Sequence, residues 1–378
     1  MNTKDKTNII FSHKTLKAIA DSMIKVFIPL LILKSTGDMN LVMIYLCAYY
    51  PICAVLNFVL KKFLQKYGLF AIILHFIPIV AVQFILNITL NWWICILLAL
   101  LMSFSQVLYS VPLNILFSVV DKNVNVTKFQ ISSNVGKLIF ILLSGYILGS
   151  SINNSLIIVS IVSSVLYLIS SCLLLFAFKD IKQAYDNIKT TPVEIDKKSY
   201  WLFNLFHMQF GIFQSILDII LPLFLFLNNL TFQSVTIVMA LIEVCKIGAN
   251  ILAKIFVKKN LRIVSVLISL SVMIASCFIV MFVRNTLVLY ICSCCLGISF
   301  PLLFVPMFSL FTKKVVKDNN QFEGMAERDV YIFAGRDILY VPYFVVPDLV
   351  VQFVIGIICS VGLGITSAKL ISKQQDQN

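Results

Sequence analysis

The sequence predicts an all-α polytopic membrane protein, with twelve transmembrane helices in two pseudo-symmetric six-helix bundles. Three observations predict this: a composition too apolar for water, basic clusters that alternate between connections, and an internal repeat. The chain of 378 residues is 60% apolar and 12% charged, whereas soluble domains are about 45–50% apolar and about 25% charged. Its mean hydropathy is +0.97. Apolar runs of about 20 residues, enough to cross the hydrocarbon core, recur along the chain.

The first span is read over 14–34 and carries Asp21, Lys25 and Pro29. It is too long and too charged for a cleavable leader and has no small-residue cleavage site, so it is expected to stay in the membrane. Spans two and three follow at 40–60 and 68–90. Span four, 92–119, opens on Trp92 and Trp93, residues suited to a membrane interface. Span five, 129–149, contains Lys137, and span six covers 153–178. Span seven, 200–226, opens near Trp201 and holds His207, Asp218 and Pro222, and span eight, 233–256, holds Glu243 and Lys246. Spans nine and ten cover 261–283 and 286–311. Span eleven, 328–346, holds Arg336 and Asp337, and span twelve covers 348–371. The fifth and eleventh are the least apolar, and dropping either would spoil the orientation pattern.

That pattern is the positive-inside rule. Residues at span ends are counted with the neighbouring connections. With the N-terminus inside, the tail, the even-numbered connections and the C-terminus then carry 24 of the 30 Lys and Arg. Outside connections carry only Lys34 and Arg284, and four (Lys25, Lys137, Lys246 and Arg336) lie deeper within spans. Both termini are therefore expected in the cytoplasm. The formal charge of +13 is spread over these short clusters, which suits an anionic leaflet and gives no reason to expect nucleic acid. The polar stretch 179–199 is read as a solvated cytoplasmic linker between an N-terminal bundle, 1–178, and a C-terminal bundle, 200–378.

The two bundles read as a duplication. At an offset of 193, Pro29 falls on Pro222, Ser22 on Ser215, Asn57 on Asn250, and Lys61, Phe63 and Lys66 on Lys254, Phe256 and Lys259. At 194, Ser105, Pro112 and Phe117 fall on Ser299, Pro306 and Phe311; near 199, "NVGKLI" from Asn134 faces "FAGRDI" from Phe333. Two parallel six-span halves around an axis along the membrane normal give such an offset.

With these features the chain resembles the major facilitator superfamily of secondary transporters over its whole length. The superfamily's loop signature between spans two and three, G-x-x-x-D-R-x-G-R-R, reads here "KKFLQKYGLF" from Lys61, with Gln65 at the acidic place, Lys66 at the basic one and Gly68 retained. The second-half counterpart is "KIFVKKNLRI" from Lys254. "ERDVYIFAGRDI" from Glu327 is similar to an R-E-x-x-x-N-x-G-R stretch of some bacterial members, through Arg328, Asp329, Gly335 and Arg336, with Ala334 departing. Of the span-five antiporter signature only Gly145 and Gly149 survive. The resemblance implies the superfamily's fold, alternating access, and no enzymatic activity.

An isolated charge at mid-bilayer costs about 2.5–3.5 kcal/mol on insertion scales, so such residues should face partners or a watery cavity. Asp21 and Lys25, at i and i+4, are expected to pair, as are Glu243 and Lys246 at i and i+3. Lys25 and Asp218 are equivalent by the repeat and are expected to approach across a central cleft. One reading makes these pairs latches between helices; the other makes Asp21, Lys25, Asp218, Glu243 and Lys246 the transport path, with a carboxylate binding a proton, or a carboxylate and a basic residue binding substrate. Lys137, Arg336, Asp337, Asn57 and Asn250 are assigned gating or structural roles, and Pro29, Pro112, Pro222 and Pro306 helix bending. Four basic residues (Lys25, Lys137, Lys246, Arg336) against four acidic ones (Asp21, Asp218, Glu243, Asp337) predict a cavity near neutrality.

The expected function is secondary active transport of a small solute, with ion gradients as energy source, proton coupling through Asp21, Asp218 or Glu243, and a lean to efflux. A second reading is a non-transporting sensor, immunity factor or partner protein on the same fold. A third, a membrane-embedded enzyme, lacks a Ser-His-Asp set, H-E-x-x-H or facing aspartates. No cofactor or metal is expected: the ten cysteines, Cys292–Cys295 included, lie in apolar runs without the spacing of a zinc site. A monomer in a bacterial plasma membrane is expected, since the wealth of Ile, Asn, Lys and Phe suits an AT-rich genome.

Overall fold

The computed structural model describes residues 3–120, 126–150, 152, 154–186, 197–283, 285–318 and 321–375. Arg284 and residues 187–196 of the expected linker lie outside the described residues. Every predicted span coincides with helix, and no strand occurs among the described residues. Span one is α1 (Thr3–Met23) with α2 (Ile28–Thr36), and span two is α3 (Met39–Val59). Span three is α4 (Lys61–Leu74) with α5 (Phe76–Ile85), bent by 45°. Then come α6 (Trp92–Val120), α7 (Val126–Gly149), α8 (Ser155–Phe176) and a connecting helix α9 (Phe178–Asp186). Span seven is α10 (Lys197–Ser215) with α11 (Leu221–Leu227). The remainder are α12 (Phe232–Lys258), α13 (Arg262–Phe282), α14 (Thr286–Lys317), α15 (Gln321–Tyr340) and α16 (Val350–Gln375).

Eight of these spans are long and apolar enough to cross a membrane on length and composition alone, and the bent pair makes nine. The other three are spans one, five and eleven. Spans one and eleven carry several charged side chains, whereas span five is apolar over the shorter stretch Ser133–Gly149. Spans eight and nine of that apolar set have lipid-like outer faces: Val244 and Ile251 are exposed on α12, and Leu267 and Phe278 on α13. Trp92 and Trp93 stack with ring centroids 3.6 Å apart at the exposed start of α6.

The repeat is visible in contacts. Spans one and seven both depart from regular α-helix in mid-course: span one breaks at a 3₁₀ turn, Lys25–Phe27, while span seven runs on through a π turn, Ile216–Ile220. The cause is the same at both places. Proline lacks an N–H and its ring clashes with the carbonyl four residues back, which is Lys25 for Pro29 and Asp218 for Pro222. The register shifts at both places: Ile28 N–H donates to Lys25 C=O, three residues back, and Leu221 N–H to Ile216 C=O, five residues back. The second proline pair behaves otherwise, since Pro112 and Pro306 lie within α6 and α14, which run on unbroken.

Close packing also repeats. A Cβ on Gly136 of α7 would stand 3.2 Å from Thr15 of α1, and one on Gly335 of α15 would stand 1.8 Å from the carbonyl oxygen of Met208 of α10. Thr15 and Met208 are themselves 193 residues apart. Gly211 meets Ile332 C=O in the same way, at 2.2 Å, so α10 and α15 touch backbone to backbone at two glycines.

The linker differs from its expected solvated form. Its first part is α9, whose Tyr185 is buried and donates a hydrogen bond to Leu64 C=O at 3.0 Å. A Cβ on Gly68 would lie 1.9 Å from that hydroxyl. The glycine kept from the loop signature is thus the gap through which the linker docks on α4.

Candidate functional site

A cavity of about 470 Å³ lies between the halves, walled by α1, α3, α6 and α7 on one side and α10, α12, α14 and α15 on the other. Spans one, two, four and five thus face their counterparts seven, eight, ten and eleven. One wall is aromatic. Phe300, Phe304 and Phe308 occupy successive turns of α14 with centroids 5.7 and 4.9 Å apart, and Phe210 lies 5.4 Å from the first two. Opposite, Tyr45, Tyr49 and Tyr50 of α3 form a second ladder with centroids 5.9 and 4.6 Å apart.

All five residues expected on the transport path line this cavity: Asp21, Lys25, Asp218, Glu243 and Lys246. Their pairing differs from expectation in two respects. Asp21 does not pair with Lys25; it accepts from Lys17, one turn earlier on α1, and from the Tyr167 hydroxyl of α8 at 2.5 Å. The reason is the break, because Ile24 leaves helical geometry at φ −132° and carries Lys25 out of phase with Asp21. Lys25 instead donates to the Gln106 side-chain oxygen on α6 at 2.7 Å. Nor do Lys25 and Asp218 meet: both are on the wall, but Asp218 pairs with Lys246 at 3.3 Å and accepts from Gln214 at 3.2 Å. The Glu243–Lys246 pair is present at 2.8 Å. Lys246 therefore bridges two carboxylates, beneath the Phe300 ring.

Lys137 and Arg336, expected as gating residues near the helix ends, are on the cavity wall as well. Lys137 makes no hydrogen bond or ion pair among the described residues. Arg336 reaches across to the first half, donating to the Tyr50 hydroxyl at 3.1 Å with its guanidinium 5.0 Å from that ring, while its Nε has no partner. Asp337, Asn57 and Asn250 are off the wall. Asn57 is buried with neither amide atom bonded, and Asn250 donates to Lys246 C=O at 2.7 Å. His207 is buried edge-on against Phe311, 4.6 Å between centroids.

Sequence reasoning missed four charged wall residues: Lys14, Lys17, Arg328 and Asp329. Arg328 and Asp329 pair at 2.5 Å, with the guanidinium against Phe308. Lys17 lies over the Tyr109 ring at 4.1 Å. The expected near-neutrality is therefore corrected. Among the described residues the wall holds seven basic side chains (Lys14, Lys17, Lys25, Lys137, Lys246, Arg328, Arg336) and four acidic ones (Asp21, Asp218, Glu243, Asp329). The signals were present: Lys17 stands at i−4 from Asp21, and Phe300, Phe304 and Phe308 are spaced by four.

The halves meet on both sides of the cavity. At the start of α4, Lys61 forms an ion pair with Glu323 of α15. At the opposite end Gln233 of α12 donates to Gly149 C=O of α7 at 2.6 Å, and Phe27 packs on Phe232 at 5.5 Å.

A sequence model of the Major Facilitator Superfamily matches residues 15–322. No curated relative matches the sequence. Among solved structures, two crystal structures of a bacterial homologue of the iron transporter ferroportin are similar. The outward-facing one has 13% identity and a TM-score of 0.71, covering 98% of this chain and 100% of that one. The outward-facing one soaked with iron has 14% identity and a TM-score of 0.70, covering 96% and 98%. At that identity the likeness is one of fold.

Proposed function

The chain belongs to the Major Facilitator Superfamily, and from that premise we propose that this membrane transporter works by secondary active transport, moving a small solute as its two halves rock about the central cavity. The observation that carries this reading is the pair of irregular helices, one broken and one with a π turn. Spans one and seven depart from regular α-helix at equivalent points, and each irregular turn puts a charged residue, Lys25 or Asp218, on the cavity wall. Discontinuous helices flanking a central site are how many secondary transporters build a binding site that both halves share.

Proton coupling is assigned to Asp21. It is the wall carboxylate held by both a lysine and a tyrosine hydroxyl, so protonation would release Lys17 and Tyr167 together. We place both termini in the cytoplasm on the distribution of lysine and arginine, and propose a monomer in a plasma membrane with export as its direction. The iron soaked into the neighbouring structure is not carried over, because each of the four wall carboxylates is already ion-paired with a basic side chain.

Pulsed electron–electron resonance tests the rocking without knowledge of the substrate. Spin labels at exposed Phe63 and Val316 report one end of the cavity, and labels at Tyr146 and Leu227 the other. Alternating access predicts two distance populations at each end, the long one at one end accompanying the short one at the other. A single fixed distance at both ends would favour a non-transporting protein on this fold.

A further inference from the structure

We propose that the solute is an organic anion with an apolar, ring-sized body, an assignment that rests on the transport reading above. Seven basic against four acidic side chains on one wall leave an excess of three positive charges, and the excess survives omission of any one of them.

The pairing sharpens the point. Every wall carboxylate is engaged by a basic side chain, but among the described residues three of the cations have no carboxylate within ion-pair distance. Lys25 has only a neutral amide oxygen, Arg336 a phenol and a ring face, and Lys137 no hydrogen bond or ion pair among the described residues. Lys137 and Arg336 both act electrostatically on Asp218, so the wall charges share one space. Leaving cations without counter-charge inside a membrane protein is costly. An anion entering the cavity recovers that cost, whereas a cation adds to it.

The remainder of the wall sets the body of the solute. A volume of about 470 Å³ lies in the range that takes a small organic molecule, about 300–1,000 Å³. The phenylalanine ladder on α14 and the tyrosine ladder on α3 offer ring faces on opposite sides. Such a cavity accepts a flat apolar group between the ladders and a carboxylate or sulfonate among Lys25, Lys137 and Arg336. An inside-negative membrane potential would drive that anion outwards, by about 2.3 kcal/mol per charge per 100 mV, consistent with export.

The test uses three ring-matched probes on the full chain in nanodiscs, by calorimetric titration: 2-naphthoate, 2-naphthamide and 2-naphthylmethylammonium. Naphthoate is expected to bind about tenfold or more tightly than either of the others, as a charge-assisted contact implies. Lys137→Gln should weaken naphthoate about tenfold and leave naphthamide unchanged, while Lys137→Arg should retain it. Lys25→Met provides a second, independent site for the same comparison. Equal binding of the three probes, preference for the ammonium, or no naphthoate binding at low millimolar concentration would overturn the assignment. Rocking halves combined with any of those results would sink the anion and spare the transport reading; a single fixed distance in the spin-label experiment would sink the transport reading itself.

Discussion

Lys25 and Asp218 occupy the same place in the two halves of the molecule, each in an irregular turn four residues before a proline, yet each finds its partners within its own half. Lys25 turns to Gln106 and Asp218 to Lys246 and Gln214. Opposite charges at equivalent points leave the two turns free to exchange partners across the cavity without a covalent or helical obstacle. Restoring an ordinary helix should remove that freedom. Pro29→Ala and Pro222→Ala are each expected to slow exchange between the two spin-label populations while leaving the protein folded, since both prolines sit in the first turn of the helix that follows.

Asp21 and Lys17 form the most exposed test of the buried electrostatics. Removing one partner of a buried pair leaves an uncompensated charge, at a cost of about 3–5 kcal/mol. Asp21→Asn should therefore lower the thermal unfolding midpoint by several degrees, and Lys17→Met in the same chain should restore most of it. Tyr167→Phe, which removes only one hydrogen bond to Asp21, should cost about 1–3 kcal/mol. Proton-coupled transport should fail in Asp21→Asn even where the double variant is stable.

Glycine contacts offer a contrast free of electrostatics. Gly335→Ala places a methyl group 1.8 Å from a backbone oxygen, whereas nothing lies within 4 Å of a methyl group on Gly248. The first substitution should abolish accumulation of folded protein, and the second should be tolerated. Gly68→Ala should be intermediate, expelling the Tyr185 hydroxyl and exposing α9 to limited proteolysis.

The ion pair between Lys61 and Glu323 joins the two halves at one end of the cavity. Lys61→Glu is expected to shift the Phe63–Val316 distance towards its long population, and Glu323→Lys in the same chain to bring the short population back. Both side chains are partly exposed, so raising the salt concentration should have the same sense as the single variant, with a smaller effect.

Most of the fold was legible because hydropathy and the positive-inside rule act on every span. All twelve predicted spans coincide with helix, and the proline at the same offset in each half marked both irregular turns. The site was legible only in part. Asp21 has basic residues at i−4 and at i+4, spacings that an ideal helix makes equivalent; only the break after Met23 decides for Lys17. Lys17 and Arg328 also lie at span ends that read as solvated, so their charge was counted with the connections and not with the cavity. Lys137 and Arg336 were named from the sequence as gating or structural residues, and the structure adds that both line the cavity wall.

The central claim is that Lys25 and Asp218 look into a water-accessible cavity shared by two halves. Labelling with a charged, membrane-impermeant methanethiosulfonate tests it most directly, using single cysteines at 25, 218 and the exposed control position Val165 of α8, in a chain whose ten native cysteines are replaced. The account predicts labelling at 25 and 218, weakened by bound 2-naphthoate, and none at 165. Unreactive cysteines at 25 and 218 from both faces of the membrane would contradict it.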